Sequence, residues 1–150
     1  MVSNEEISVN KRNGRGKESL NIEKIHSMVG FATEGITGVS ASHVEMNSGI
    51  QFFDGVSTAD IQQILIKSAN DLISLENPNY QYVAARLLLF QLRKQLFHRL
   101  WDHPKFVDHI KSLIDKGLYD KDILVNYDES EIDRMGMWID HERDYSFTYA

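Results

Sequence analysis

The chain contains no cysteine. From its own side chains it can therefore form no disulfide, thiolate metal site, thiol nucleophile or cysteine-centred radical. It has only two prolines and no repetitive tract, and 42% of its residues are hydrophobic against 25% charged, the balance of a folded globular protein rather than a disordered one. No apolar run approaches the ~20 residues of a membrane span, and the opening MVSNEEISV has neither the basic start nor the apolar middle of a secretion signal. A cytoplasmic chain with no membrane partner is expected. Positive charge is also in deficit, with 16 Lys and Arg against 22 Asp and Glu and a net charge of -6, so the chain as a whole should repel nucleic acid. Any polyanion it binds must be held by a local cluster, which suits a small phosphorylated ligand better than DNA. The common phosphate and nucleophile signatures GxxxxGK[ST], GxGxxG and GxSxG are missing too.

What is present, at 150 residues, fits one compact domain or one small domain with a helical extension. A domain of this size buries ~70% of its unfolded surface. Segments Ile7 to Val9 and Ser19 to Ile22 are β-compatible and flank Asn13-Gly14, a pair that favours positive φ, which predicts a β-hairpin over Glu6 to Ile22. Asn21 can cap a helix with Ile22, Ile25, Val29 and Ala32 at helical spacing and Gly35 as its stop. Ser42-His43-Val44-Glu45 has capping-box spacing and predicts a second helix running toward Phe53, with a break at Asp54-Gly55. Thr58 is a candidate N-cap for a third helix, with Ile61, Ile64, Leu65, Ser68 and Leu72 on one face through about Leu75. Asn77-Pro78 reads as the start of a fourth helix whose stripe is Tyr82, Ala85, Leu89, Leu92, Leu96 and Leu100. Because Leu87, Leu88 and Phe90 occupy its other faces, this helix should be central. Beyond Pro104, the residues Phe106, Ile110, Leu113 and Ile114 predict a shorter helix ending near Gly117, and Asp128-Glu129-Ser130-Glu131 opens another. The aromatic ending ERDYSFTYA looks like a segment that packs against something.

Charge is unevenly placed. VNKRNGRGKESLN, Val9 to Asn21, holds four basic residues and one acid in thirteen positions. A solvated hairpin could carry scattered cations, but here Lys11 and Arg12 precede the turn, Glu18 and Asn21 follow it, and Lys24 lies one helical turn on. A hairpin brings the arms together, so that cations for phosphate and hydrogen-bonding groups for the edge of a base share one surface. That combination fits a nucleotide. Arg93, Lys94 and Arg99 on the fourth helix could equally snorkel. Thr58 and Asp60 are explained as cap and first-turn acid, although a helix N-terminus also offers donors to an anion. His98, His103, His109 and His141 are dispersed without the i, i+4 spacing that aligns two ligands, and no metal site is expected.

In order, VNKRNGRGKESLNIEKIH, DGVSTADIQQILIKSANDLIS and NPNYQYVAARLLLFQLRK resemble the ATP-cone at the N-terminus of the large subunit of class I ribonucleotide reductase. The similarity continues through FVDHIKSLIDKGLYD and IDHERDYSFTYA and covers essentially the whole chain. It implies a mainly α fold, with a small β-sheet cap on a four-helix bundle followed by further short helices. The cone would occupy residues 1–103, and 104–150 would be a helical connector toward a catalytic barrel. It further implies an allosteric module for deoxyribonucleotide synthesis that takes ATP or dATP as effector, accompanied by Mg. The partners so implied are the remainder of the large subunit and the radical-carrying small subunit. By the same resemblance Lys11, Arg12, Lys24 and Lys94 match cationic positions near the phosphates, Val9, Glu18, Asn21 and Ile25 positions around base and sugar, and Thr58 a helix N-terminus beside the nucleotide. At Gln62 the family often has a histidine near the phosphates that helps couple dATP to inhibition. Gln cannot become cationic, so nucleotide binding without strong dATP shut-off is expected. Lacking cysteines and a barrel, the chain should not reduce a ribonucleotide alone. The alternative is a degenerate cone serving as a helical protein-interaction module without effector.

Overall fold

In the computed structural model, which describes residues 7–10, 16–49, 52–100 and 102–149, strand β1 (Ser8–Asn10) pairs antiparallel with β2 (Lys17–Ser19). The register is Ser8↔Ser19, Val9↔Glu18 and Asn10↔Lys17. The expected hairpin is therefore present. Its second arm begins earlier than expected, because Ile22 already belongs to helix α1; the Asn13-Gly14 turn, Lys11 and Arg12 lie outside the described residues. A third strand, β3 (Val56–Ser57), runs parallel to β1 with Val9↔Val56 and Asn10↔Ser57, giving the sheet order β2-β1-β3. No periodicity announces a two-residue strand.

Helix α1 (Ile22–Thr33) begins as expected, with the Asn21 side chain accepting from Lys24 N–H at 2.9 Å. It ends ahead of Gly35, whose φ of 71° is one that a side chain would disfavour. Ile25, Val29 and Ala32 are buried, while Ile22 at the first turn is exposed. Helix α2 (Ala41–Gly49) starts before the expected Ser42 cap: Ser40 Oγ accepts from His43 N–H at 3.4 Å. It also stops at Gly49, short of Phe53, and buries Val44 and Ser48.

Helix α3 (Thr58–Asp71) carries one correction at its start. Ser57, not Thr58, is the N-cap, and it forms a reciprocal capping box with Asp60. Thr58 is the first helical residue. Helix α4 (Tyr80–Phe97) begins beyond Asn77-Pro78, with Pro78 and Asn79 forming a turn ahead of it. Its buried residues are Tyr80, Val83, Ala84, Ala85, Leu87, Phe90, Gln91 and Arg93; of the expected stripe Ala85 is buried and Tyr82 and Leu89 are half-buried, but Leu92 and Leu96 are 43% and 65% exposed, so the packed face is rotated from it. Apolar residues surround this helix, so periodicity alone cannot select the face that packs.

The described residues divide into two compact units. One comprises those up to Gln91 together with those from Asp144 onward; the other runs from Leu92 to Arg143. In the first, α4 is tied to the start of α2 by the buried Tyr80, whose hydroxyl accepts from Ser40 N–H at 3.0 Å, and Asn47 on α2 donates to Ser68 O on α3 at 3.2 Å. The second contains α5 (Phe106–Asp115), α6 (Ile123–Asn126) and α7 (Glu129–Gly136), the last opening on Asp128 in a capping box with Glu131. Val107, Ile110 and Ile132 form its core. Helix α7 lies close enough to α5 that a Cβ at Gly136 would stand 2.5 Å from Phe106 Cβ. Lys111 and Glu129 pair at 2.6 Å between the same helices, which raises the lysine pKa. A 3-10 helix (His141–Ser146) follows. Among the described residues no helix is long and apolar enough to cross a membrane.

The face of α4 can be read by truncation. Phe90→Ala should cost ~3–5 kcal/mol of stability and Leu96→Ala under ~0.5 kcal/mol, measured by urea unfolding. Equal costs would reinstate the Leu92–Leu96 stripe as the packed one.

Candidate functional site

Three short elements frame the hairpin end of the first unit. Val9, buried in the middle of β1, faces Glu18 directly across the antiparallel ladder, so the two side chains share the inner face of the sheet. Parallel pairing with β3 sets Ser57 beside Asn10, and Thr58 at the start of α3 follows at once. The segment carrying Asp54 and Gly55 is fastened to β1. Asp54 Oδ1 accepts from Ser8 N–H at 2.8 Å and from Ser8 Oγ–H at 2.6 Å, Gly55 N–H donates to Ser8 O at 2.8 Å, and Asn10 Nδ2 donates to Gly55 O at 2.7 Å. The Ser8 hydroxyl and amide, with a lesser contribution from Lys17, lower the Asp54 pKa.

Below the hairpin an apolar slot of about 260 Å³ is lined by Ile7, Leu20, Ile22, Ile25, Glu45, Ser48, Gly49 and Phe52. Ile25 lines this slot from the first turn of α1, where Asn21 is the cap and Lys24 is exposed. The slot's α2 wall, Glu45 and Ser48, was not anticipated: Glu45 had been explained as a capping residue, and Ser48 carries no motif. His26 Nδ1 on α1 lies 2.9 Å from Glu45 Oε1 and joins the two walls.

Two further residues named from the sequence, Gln62 and Lys94, lie on α3 and α4. Gln62 is 4% exposed and turned into the core of the first unit, where its Nε2 donates to Leu87 O on α4 at 3.0 Å. Its neighbour Gln63 donates to Gln91 Oε1 at 3.0 Å, so α3 and α4 are joined by two amide contacts. Lys94 is exposed on the last turn of α4, in the part of that helix belonging to the second unit. In that second unit, residues far apart in sequence meet: His103 and His141 stack with ring centroids 3.7 Å apart, and both His103 and His109 stand edge-on to Phe97. These rings line a cavity of about 720 Å³ with Phe106, Ile110 and Tyr119. The dispersed spacing gave no sign of this cluster.

Residues 7–95 match the family model of the ATP cone domain. The chain is 44% identical over 147 residues to ribonucleoside-diphosphate reductase 1 subunit alpha of Escherichia coli strain K12, covering 98% of this chain and 19% of that protein. It is 45% identical over 147 residues to the ribonucleoside-diphosphate reductase subunit alpha of Haemophilus influenzae strain Rd, with the same coverage. Against the subunit alpha of Enterobacteria phage T4 it is 40% identical over 144 residues, 96% of this chain and 19% of that one. The chain therefore spans about a fifth of the length of the curated relatives it matches.

Two outcomes follow from the geometry. Because the Asp54 carboxylate is stabilised by Ser8 in the folded state, its lowered pKa contributes stability that is present above the unfolded pKa of ~3.9 and lost as pH falls through the folded value. Protection factors at Ser8 and Gly55, taken relative to the intrinsic exchange rate at each pH, should fall over that acid range in the wild type, and Asp54→Asn should flatten the dependence. At Gln62, the change Gln62→Leu should cost about 1 kcal/mol for the lost hydrogen bond. Gln62→Glu should cost more near neutral pH, where a carboxylate would face the Leu87 carbonyl, and less on acidification as the buried acid takes up a proton. Unchanged urea midpoints for both would remove Gln62 from the core network.

Proposed function

The chain belongs to the ATP-cone domain family, and from that premise we propose that it is an allosteric adenine-nucleotide-binding module of a ribonucleoside-diphosphate reductase large subunit. The observation that carries the reading is the apolar slot beneath the hairpin, walled by Ile22, Ile25 and Phe52 and bordered by the first turn of α1. Its volume of about 260 Å³ lies below the ~300 Å³ lower end of ligand pockets, a size that suits a base more than a whole nucleotide. Glu18 and Asn21 would read the base edge, with Val9 and Ile25 packing around base and sugar. Lys11, Arg12, Lys24 and Lys94 would hold the triphosphate of ATP or dATP together with its Mg, and Thr58 would offer the α3 N-terminus to it. Such a site fits a net-acidic chain because the cations are local. The module itself breaks no bond.

Regulation follows from differential affinity. A nucleotide that binds one packing of the cone helices better than another shifts the balance between them by that difference and no more. In this reading residues 1–103 form the regulatory domain, and 104–150 connect it to the rest of the large subunit, whose association with itself or with the radical-carrying small subunit is what the effector alters. Gln62 supports effector binding without strong dATP inhibition, since its amide is engaged with Leu87 and cannot acquire charge. A cytoplasmic setting accords with this role. A second reading, a docking module without effector, draws on Met137 and Trp138, which are 76% and 82% exposed.

Calorimetric titration with ATP, dATP and GTP separates the two. Saturable, adenine-selective binding is expected, and ligand at ~100 times its dissociation constant should add ~2.7 kcal/mol of stability. Lys11→Ala and Lys94→Ala should each weaken ATP binding by tenfold or more. Unchanged affinity in both variants would discard the phosphate assignment, and no binding to the folded wild type would favour the docking module.

A further inference from the structure

Helix α1 has no basic residue in its last turn, although that is where the helix dipole and unpaired carbonyls favour a cation. The cation is supplied from α4. Arg86 Nη1 donates to Glu34 O, the C-cap carbonyl of α1, at 2.6 Å, and to Ala32 O at 3.4 Å. The same guanidinium lies over the ring of Tyr145, 5.2 Å from its centroid, within cation–π range. Tyr145 belongs to the 144–149 segment that returns to the first unit. A second tie, Tyr149 N–H donating to Gln81 O at 3.1 Å, fixes the far end of that segment to the start of α4. Arg86 Nε is buried and has no hydrogen-bond partner among the described residues, an arrangement that stability alone does not favour.

We propose that Arg86 is a positioning residue that couples α1 to the 144–149 segment: one guanidinium donates to the C-terminal carbonyls of α1 and lies over the ring of Tyr145. Helix α1 is a rod of about 18 Å by its rise per residue, with Asn21, Lys24 and Ile25 at its other end. A displacement of α1 at the slot is therefore felt at Arg86, and by reciprocity docking of the segment biases the slot. Lysine would not replace this residue, because a compact ammonium lacks the guanidinium's span and fixed fork of donors needed to reach the two carbonyls and the Tyr145 ring together. The coupling of α1 to the segment stands on the contacts alone; its use by a nucleotide rests on the function proposed above.

The test reads local hydrogen exchange in the 150-residue chain. Ile36 N–H, which donates to Thr33 O at the end of α1, and Tyr149 N–H are the reporters, with the amide of the buried Leu65 as the control for global unfolding. Without nucleotide, Tyr145→Ala should speed exchange at Ile36 about tenfold, Tyr145→Phe should restore protection, and in an Arg86→Met background Tyr145→Ala should change nothing further. Ile36 exchange that ignores Tyr145, or answers to it equally with and without Arg86, overturns the coupling. Should Arg86→Met fail to fold, the Ala and Phe variants of Tyr145 still decide. With saturating ATP, exchange at Tyr149 should change by threefold or more in the wild type and by less than that in Arg86→Met, which should retain ATP affinity. ATP binding that leaves wild-type Tyr149 untouched refutes the nucleotide arm. A wild type that binds no ATP counts against the proposed function, and the nucleotide-free variants still judge the coupling.

Discussion

Strand β1 is the constraint on which the candidate site depends. Three residues cannot make a stable strand alone, since an isolated two-stranded hairpin is marginal in water. Here Ser8–Asn10 is flanked on both sides, by β2 antiparallel and β3 parallel, and Ser8 and Asn10 are stitched to Asp54 and Gly55 by side-chain and backbone bonds. The consequence reaches beyond the sheet. Because β3 runs straight into α3, fixing β1 against Val56 and Ser57 also fixes where the α3 N-terminus stands relative to the hairpin arm. Val9 at the centre of the ladder is buried against both neighbours, so the hairpin cannot slide without exposing it.

The helices beneath are held by packing and by a small number of polar ties whose partners are specific. Tyr80 reaches the first residues of α2, Gln62 and Gln63 reach α4 from α3, and Arg86 reaches the end of α1. Each is a long side chain with a polar group that finds a partner across a helix interface, although Arg86 keeps its buried Nε unpartnered among the described residues. Such contacts specify the relative rotation of helices more strictly than apolar surface does, because a carbonyl accepts only from certain directions. A bundle arranged in this way can favour discrete packings over a continuum.

Much of this was legible in the sequence where local chemistry speaks for itself. Asn21 at the start of α1, Asp128-Glu131 at the start of α7, and Pro104 with Gly117 around α5 are cap and stop signals whose physics is contained within a few residues. The misses have a common cause. Sequence favours Thr58 and Ser42, but the caps are Ser57 and Ser40, because neighbouring hydroxyl residues compete and contacts beyond the local pattern choose among them; Ser40 is held by Tyr80, forty positions away. The rotation of α4 was hidden by leucines on every face. Strand β3 exists only because β1 is there to pair with it. Around the slot, the start of α1 at Asn21 and the inward position of Ile25 were readable from cap and helical spacing, whereas the α2 wall is a product of packing that spacing cannot express.

Charge explains why a site for a polyanion and an acidic chain are compatible. The slot beneath the hairpin is apolar, while several acids serve as caps and pair partners: Asp60 in a capping box, Asp54 on Ser8, Glu129 on Lys111, Asp128 and Glu131 at α7. At physiological ionic strength fields between exposed charges fade over ~8 Å. The acids therefore set solubility and local structure without cancelling a cluster that acts at hydrogen-bond range. Under the proposed function, an anionic ligand at this hairpin would respond to the few groups that touch it, with Glu18 and Asn21 reading the base edge and the apolar slot excluding water around the base.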